Sequence, residues 1–179
     1  MDTTNSSLAV VARGLAAAAH KGQKYGTLPY TRHCSDVVGL MDDILSYETM
    51  EFYSKEIGLA AGWLHDTVED TWLTLDAIEH ALGRPVARLV GAVTDAPGAN
   101  RYERKKNTYP KIRATGPMAV ALKLADRIAN IEYGISTKDV ALTRMYRKEQ
   151  DSFAGALYRP DDGLDRAWAR LDALLKAKP

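Results

Sequence analysis

Cysteine is almost absent from this sequence. Cys34 alone in 179 residues excludes an internal disulfide and any multi-cysteine zinc centre, so a bound metal would have to rest on histidines and carboxylates. An excess of one charge is also missing: 24 Lys and Arg stand against 23 Asp and Glu, and no long basic run occurs. That balance argues against a nucleic-acid polymer or an anionic membrane as partner. No apolar stretch reaches the roughly 20 residues of a membrane-spanning helix, and Met1-Asp2-Thr3-Thr4-Asn5 lacks the basic start of a signal peptide. A cytoplasmic protein is the expectation. Alternating strand-like runs, internal repeats, low-complexity tracts and linkers are absent as well.

What is present is helical periodicity. Apolar residues make up 46% of the chain and recur at three- and four-residue spacing almost throughout. This pattern predicts a single all-α domain over residues 1–179, a bundle of about eight to ten helices. The first helix is expected from about Leu8 to His20, capped by Ser6 or Ser7 and stopped before Gly22. A loop from Gly22 to Arg32 follows, then helices from Ser35 to Tyr47 and from Ser54 to Asp66. Thr74 opens a short helix that Gly83 closes, and Pro85 sits in the first turn of the next. Arg101 to Arg113 is a basic amphipathic piece expected to be interrupted at Pro110. Helices from Met118 to about Tyr133, Lys138 to Leu157 and Leu164 to Lys176 complete the chain.

Chemistry concentrates in Trp63-Leu64-His65-Asp66-Thr67-Val68-Glu69-Asp70-Thr71. If the helix continues through it, His65, Asp66, Glu69 and Asp70 fall within an arc of roughly 140° and address one pocket. Setting a carboxylate after Leu59, Ala60, Ala61, Trp63 and Leu64 is costly unless a cation or hydrogen-bond donors satisfy it, and a divalent metal would do so. An isolated His-Asp pair at a helix end is more often a satisfied core histidine beside solvated acids. Two further segments weigh against that plainer reading. His33 follows Pro29-Tyr30-Thr31-Arg32, and Asp126 is set into the apolar run Leu122 to Asn130, where it could also pair with Lys123 or Arg127.

Taken in order, Ala19-His20-Lys21-Gly22-Gln23, Pro29 to His33, Leu64 to Thr71, Leu89 to Asp95, Glu103-Arg104-Lys105 and Lys123 to Asn130 resemble the HD-domain metal-dependent phosphohydrolases. More specifically, the motifs resemble the hydrolase domain of RelA/SpoT proteins and its small stand-alone relatives. The resemblance implies a site in which His33, His65, Asp66 and Asp126 hold one divalent metal ion, usually Mn²⁺ in this family, with Glu69 and Asp70 as the catalytic acids. It also implies substrate contacts from Lys24, Tyr25, Arg104, Lys105 and Asn130, with Lys106 in the same basic segment. Independently of the family, two imidazoles and two carboxylates form a mixed donor set suited to Mn²⁺, Fe²⁺ or Zn²⁺. His20 is read as structural, His80 as an exposed helix residue, and Arg127 as a group orienting Asp126 or a neighbouring acid. The closing helices resemble those of small members in which an aromatic or basic residue can reach the base, a role open to Tyr146 and Arg147, although packing for Tyr146 and solvation for Arg147 are the favoured readings.

The expected activity is removal of the 3′-pyrophosphate of ppGpp or pppGpp, a small-molecule substrate, giving GDP or GTP. Departures occur in Lys24-Tyr25-Gly26-Thr27-Leu28, one residue shorter than the family's loop and without its paired basic residues, in Cys34 where a proline is common, and in Ala129 where a histidine is frequent. The loop directs attention to an alternative nucleotide: a nucleoside monophosphate, an adenine alarmone or the 2′-phosphate of NADPH. A non-catalytic nucleotide sensor is the rival of a different class; the full set of ligands and acids speaks against it.

Overall fold

The side chain of Ser7 accepts the amide of Val10 and starts α1, Leu8–Ala19. The computed structural model describes residues 7–46 and 52–177, so Ser6 and Tyr47 lie outside the described residues. After α1 come a two-stranded antiparallel ribbon, β1 (Lys24–Tyr25) and β2 (Leu28–Pro29), then α2 (Thr31–Ser46), α3 (Phe52–Leu64), α4 (Thr67–Asp70) and α5 (Leu75–Leu82). They are followed by α6 (Arg84–Val93), α7 (Arg101–Thr115), α8 (Pro117–Ser136), α9 (Val140–Leu157), a 3₁₀ turn at Pro160–Asp162 and α10 (Asp165–Lys176). The all-α class holds. Local signals act as expected in α5, where Thr74 accepts the Ala77 amide and Gly83 ends the helix at φ 86°, and in α6, which Pro85 opens.

Three expectations are corrected. The loop before α2 contains the ribbon, because Gly26 takes φ +61° at its turn, and a Cβ there would stand 1.9 Å from the Tyr133 hydroxyl. Pro110 does not interrupt α7, which runs unbroken from Arg101 to Thr115 after the Asn100 cap. The helix carrying the His-Asp pair stops at Leu64, and α4 begins separately at Thr67. Two side chains take the carbonyls that continued helix would have used: His65 Nδ1 donates to Gly62 O at 2.9 Å, and Thr67 Oγ1 donates to Leu64 O at 2.7 Å. The single helical arc proposed for His65, Asp66, Glu69 and Asp70 therefore does not exist.

The core forms around α8, a helix of 20 residues and so about 30 Å long, packed by α2, α3, α6, α7, α9 and α10. Leu122, Leu124 and Ile128 are fully buried, each contributing about 1.5–3 kcal/mol by leaving water. Asp126 rides at mid-length of this helix, which fixes its depth in the fold. On α3, a Cβ on Gly62 would stand 3.1 Å from Val38 Cγ2, so glycine there lets α3 lie close on α2. That approach brings the end of α3, with His65, to the start of α2, with His33.

Candidate metal centre and active site

His33 sits in the first turn of α2 and His65 just beyond α3, both buried. Their Nε2 atoms lie 3.2 Å apart. Asp66 Oδ2 is 2.9 Å from His65 Nε2 and 3.5 Å from His33 Nε2, while Asp126 Oδ1 is 3.5 Å from His33 Nε2 and 3.8 Å from His65 Nε2. Because the Gly62 carbonyl can only accept, His65 Nδ1 carries a proton, which directs Nε2 at the centre, where it presents a lone pair whenever the ring is neutral. Two imidazole nitrogens and two carboxylates thus converge, and ligand atoms of His33, His65 and Asp66 all fall within 4.8 Å of one another. His33 Nδ1 is buried without a hydrogen-bond partner, so the ring is oriented by packing, tilted over Tyr25 and edge-on to Tyr30. This donor set fits a divalent cation.

The electrostatics describe the same crowding. Burial disfavours a charged His33, yet hydrogen bonds to Asp126 and Asp66 outweigh it and push its pKa up to about 9. His65 is also raised, burial being overcome by Asp66. Burial opposes ionised Asp66 and Asp126, but the histidines hold Asp66, and first Lys123 and then the histidines hold Asp126, below the usual carboxylate range. Lys123, only 12% exposed, donates to Asp126 Oδ2 at 2.8 Å.

A second layer fixes the carboxylates. Tyr30 donates its hydroxyl proton to Asp66 Oδ2 at 2.5 Å, its ring stacked on His20, and Asn130 Nδ2 donates to Asp126 Oδ1 at 2.6 Å. Asn130 Oδ1 in turn accepts from Tyr25 at 2.9 Å. Glu69 accepts the Asp95 amide on Oε1 at 2.5 Å, and burial raises its pKa despite that bond. The Asp95 carboxylate is gripped by Lys105 at 2.8 Å, with Arg104 at 3.6 Å.

A cavity of about 320 Å³ opens over this centre. Of the residues singled out from the sequence, His33, Asp66, Asp126, Glu69, Arg104, Lys105 and Asn130 line it, as do Lys123, Arg127 and Tyr146, with His65 behind. Lys24, Tyr25 and Asp70 do not line it: Lys24 is exposed on β1, Tyr25 reaches the site through its bond to Asn130 and its ring against His33, and Asp70 is exposed and accepts Gln23 Nε2 at 3.0 Å. Lys106 faces the other side of α7. His20 is structural as expected, bonding Gln23 at 2.7 Å, and His80 is exposed. Arg127 makes no hydrogen bond to Asp126; it donates to Tyr146 O at 2.7 Å and to Glu149 at 3.5 Å, tying α8 to α9. Tyr146 is buried, whereas Arg147 is not simply solvated, since it donates to Leu175 O and Ala177 O at the end of α10.

Sequence reasoning gave no role to Tyr30, Asp95 or Arg101, and named Lys123 only as a partner for Asp126. Lys123 stands three residues before Asp126, a spacing that already signals a pair. Arg101 lines the cavity held by Glu149 at 2.6 Å, 48 residues away, and nothing local announces that pairing.

Comparison with known proteins gives a consistent result. The model of the HD domain family matches residues 12–155. The guanosine-3′,5′-bis(diphosphate) 3′-pyrophosphohydrolase MESH1 of Mus musculus is 35% identical over 120 residues, covering 67% of this chain and 65% of that protein. MESH1 of Danio rerio is 30% identical over 131 residues, covering 73% and 71%. A probable chloroplastic GTP diphosphokinase RSH3 of Arabidopsis thaliana is 30% identical over 151 residues, but the chain spans only 20% of its length. Among solved structures, a metazoan SpoT ortholog described as hydrolysing ppGpp shares the fold at a TM-score of 0.72 and 24% identity, over 98% of this chain and 97% of that one.

Proposed function

This chain belongs to the HD domain family, and from that premise we propose that it is a metal-dependent phosphohydrolase that removes pyrophosphate from the 3′ position of ppGpp or pppGpp. The observation that carries the reading is the convergence of His33, His65, Asp66 and Asp126 beside Glu69, in a cavity ringed by Arg104, Lys105 and Lys123. The nucleotide is taken from the MESH1 relatives, of which the chain spans about two thirds.

His33, His65, Asp66 and Asp126 would hold the ion, with Mn²⁺ the expected metal. A divalent ion bound there supplies an acidified water and neutralises charge on a phosphoryl oxygen. Glu69 is the general base. Its Oε1 is committed to the Asp95 amide, which leaves Oε2 to take the proton of the attacking water, and its raised pKa makes it the stronger base. The new bond joins the water oxygen to the 3′-phosphorus, and the bond that breaks joins that phosphorus to the ribose 3′-oxygen. GDP or GTP leaves with its 3′-hydroxyl, and pyrophosphate is the second product. Arg104, Lys105 and Lys123 offset the phosphate charge. Asp70, turned toward Gln23, supports the loop rather than the reacting water.

A second reading, hydrolysis of another nucleotide such as a nucleoside monophosphate, an adenine alarmone or NADPH, draws on one observation. The short ribbon contributes no cation to the cavity wall, since Lys24 points elsewhere. Chromatography of products after incubation with ppGpp, with Mn²⁺ and with the metal chelated, tests the assignment. Metal-dependent release of GDP and pyrophosphate is expected. A folded, metal-loaded sample that leaves ppGpp intact while hydrolysing one of the other nucleotides would transfer the assignment to that substrate.

A further inference from the structure

Across α7 from the candidate active site, between α7 and α9, lies a second cavity of about 420 Å³, within the size range of small-molecule sites. One wall is a single stripe of α7 at three- and four-residue spacing, Tyr102, Lys105, Lys106, Tyr109, Pro110 and Arg113; the other is the end of α9 with Ser152 and Ala156, closed by Arg159.

Two features define what fits there. The charged side chains on its wall are all cationic, with no carboxylate among them. Lys105 is neutralised by Asp95 and Arg113 by Asp162, but Lys106 and Arg159 are exposed and have no carboxylate partner among the described residues, Arg159 bonding only the Tyr158 carbonyl. Two uncompensated cations at one cavity call for an anion. Between them the wall is apolar: Tyr109, Pro110, Ala156 and the ring of Tyr102, which is 70% exposed. A tyrosine so exposed beside a cavity offers a stacking surface for a planar group.

We infer that this groove binds a nucleoside phosphate, its base against Tyr102 and Tyr109 and its phosphate between Lys106 and Arg159, at a site separate from the candidate active site. A base supplies the planar face, which an inorganic anion lacks. Lys105 and Tyr109 wall both cavities, so a ligand in the groove touches the Lys105–Asp95–Glu69 chain from behind. The binding claim does not depend on which nucleotide the active site hydrolyses.

Calorimetric titration of GDP into the full chain tests it, comparing the unaltered protein, the double variant Lys106→Glu/Arg159→Glu, and Ser152→Trp, which fills the groove. All three changes are at exposed positions outside the candidate active site, and thermal melting monitored by circular dichroism checks that each protein folds. The expected result is a GDP site in the unaltered protein that weakens about tenfold or more in both variants, as loss of charge-assisted contacts or of the space requires. Inorganic pyrophosphate should bind this site more weakly than GDP. GDP binding that is absent, or identical in all three folded proteins, would overturn the inference. So would pyrophosphate matching GDP at the variant-sensitive site, which would make it an anion site only, or an acidic tyrosine-containing peptide occupying the groove where GDP does not.

Discussion

Replacing Tyr30 by Phe removes one hydroxyl and nothing else, and the structure assigns that hydroxyl a single hydrogen-bond partner, Asp66 Oδ2 at 2.5 Å. Burial first, and then the Asp66 charge, push the Tyr30 pKa far above its ordinary value, so the phenol remains a donor at every working pH. The ring itself is held by stacking on His20, with centroids 4.5 Å apart, and a phenylalanine keeps that contact. A hydrogen bond to an ionised carboxylate contributes about 1.5–3 kcal/mol. Partners of this kind usually account for about 10- to 100-fold in metal affinity. The Tyr30→Phe variant should therefore fold like the parent and bind Mn²⁺ about 10- to 100-fold more weakly in a competition titration against a fluorescent chelator. Affinity unchanged within about twofold would refute the claim that Tyr30 orients Asp66. A loss of folding would instead show that its packing matters more than its proton.

Three other outcomes follow from the same geometry. Glu69→Gln should keep its metal, measured by elemental analysis, while kcat falls by about 10²–10⁴-fold, and Asp70→Asn should lose far less. Asp126→Asn should lose the metal and, in the apo form, strand the buried Lys123 ammonium, lowering unfolding free energy by about 3 kcal/mol in urea titrations. Glu149 is opposed by burial, but the Arg101 hydrogen bond and the Arg101 and Arg127 charges hold its pKa below the ordinary value. A depressed carboxylate stabilises fully above its unfolded pKa, and that contribution disappears as pH falls through the folded one. Denaturation at successive pH values should thus show Glu149→Gln losing less stability than the parent between about pH 5 and pH 3, and equal acid sensitivity would refute the pairing.

Much of this fold was legible from local signals. Ser7, Thr74, Gly83 and Pro85 act where their chemistry places them, because caps and first-turn prolines need only neighbouring residues. The residues of the proposed centre were legible for a different reason: carboxylates at Asp66 and Asp126 interrupt apolar runs at a cost that a partner must offset, and the ordered motifs around them resemble a family whose ligand set includes His33 and His65. What failed was geometry beyond one helix. The arc through His65 to Asp70 was broken by side chains of His65 and Thr67 capping α3, a competition that periodicity cannot register. Lys24, chosen from its place in the loop, was turned outward by the ribbon that Gly26 makes possible. Lys105 and Lys106 are adjacent in sequence, yet only Lys105 reaches the candidate active-site cavity, because successive residues on a helix diverge by about 100°.

The account stands most directly on water attacking the 3′-phosphorus beside Glu69. Turnover of ppGpp in ¹⁸O-labelled water, with products separated and weighed by mass spectrometry, reads that bond. One ¹⁸O in pyrophosphate and none in GDP, with the reaction abolished by chelation and restored by Mn²⁺, is the result the account predicts. Label in the 3′-hydroxyl of GDP, or turnover indifferent to chelation and to Glu69→Gln, would contradict it.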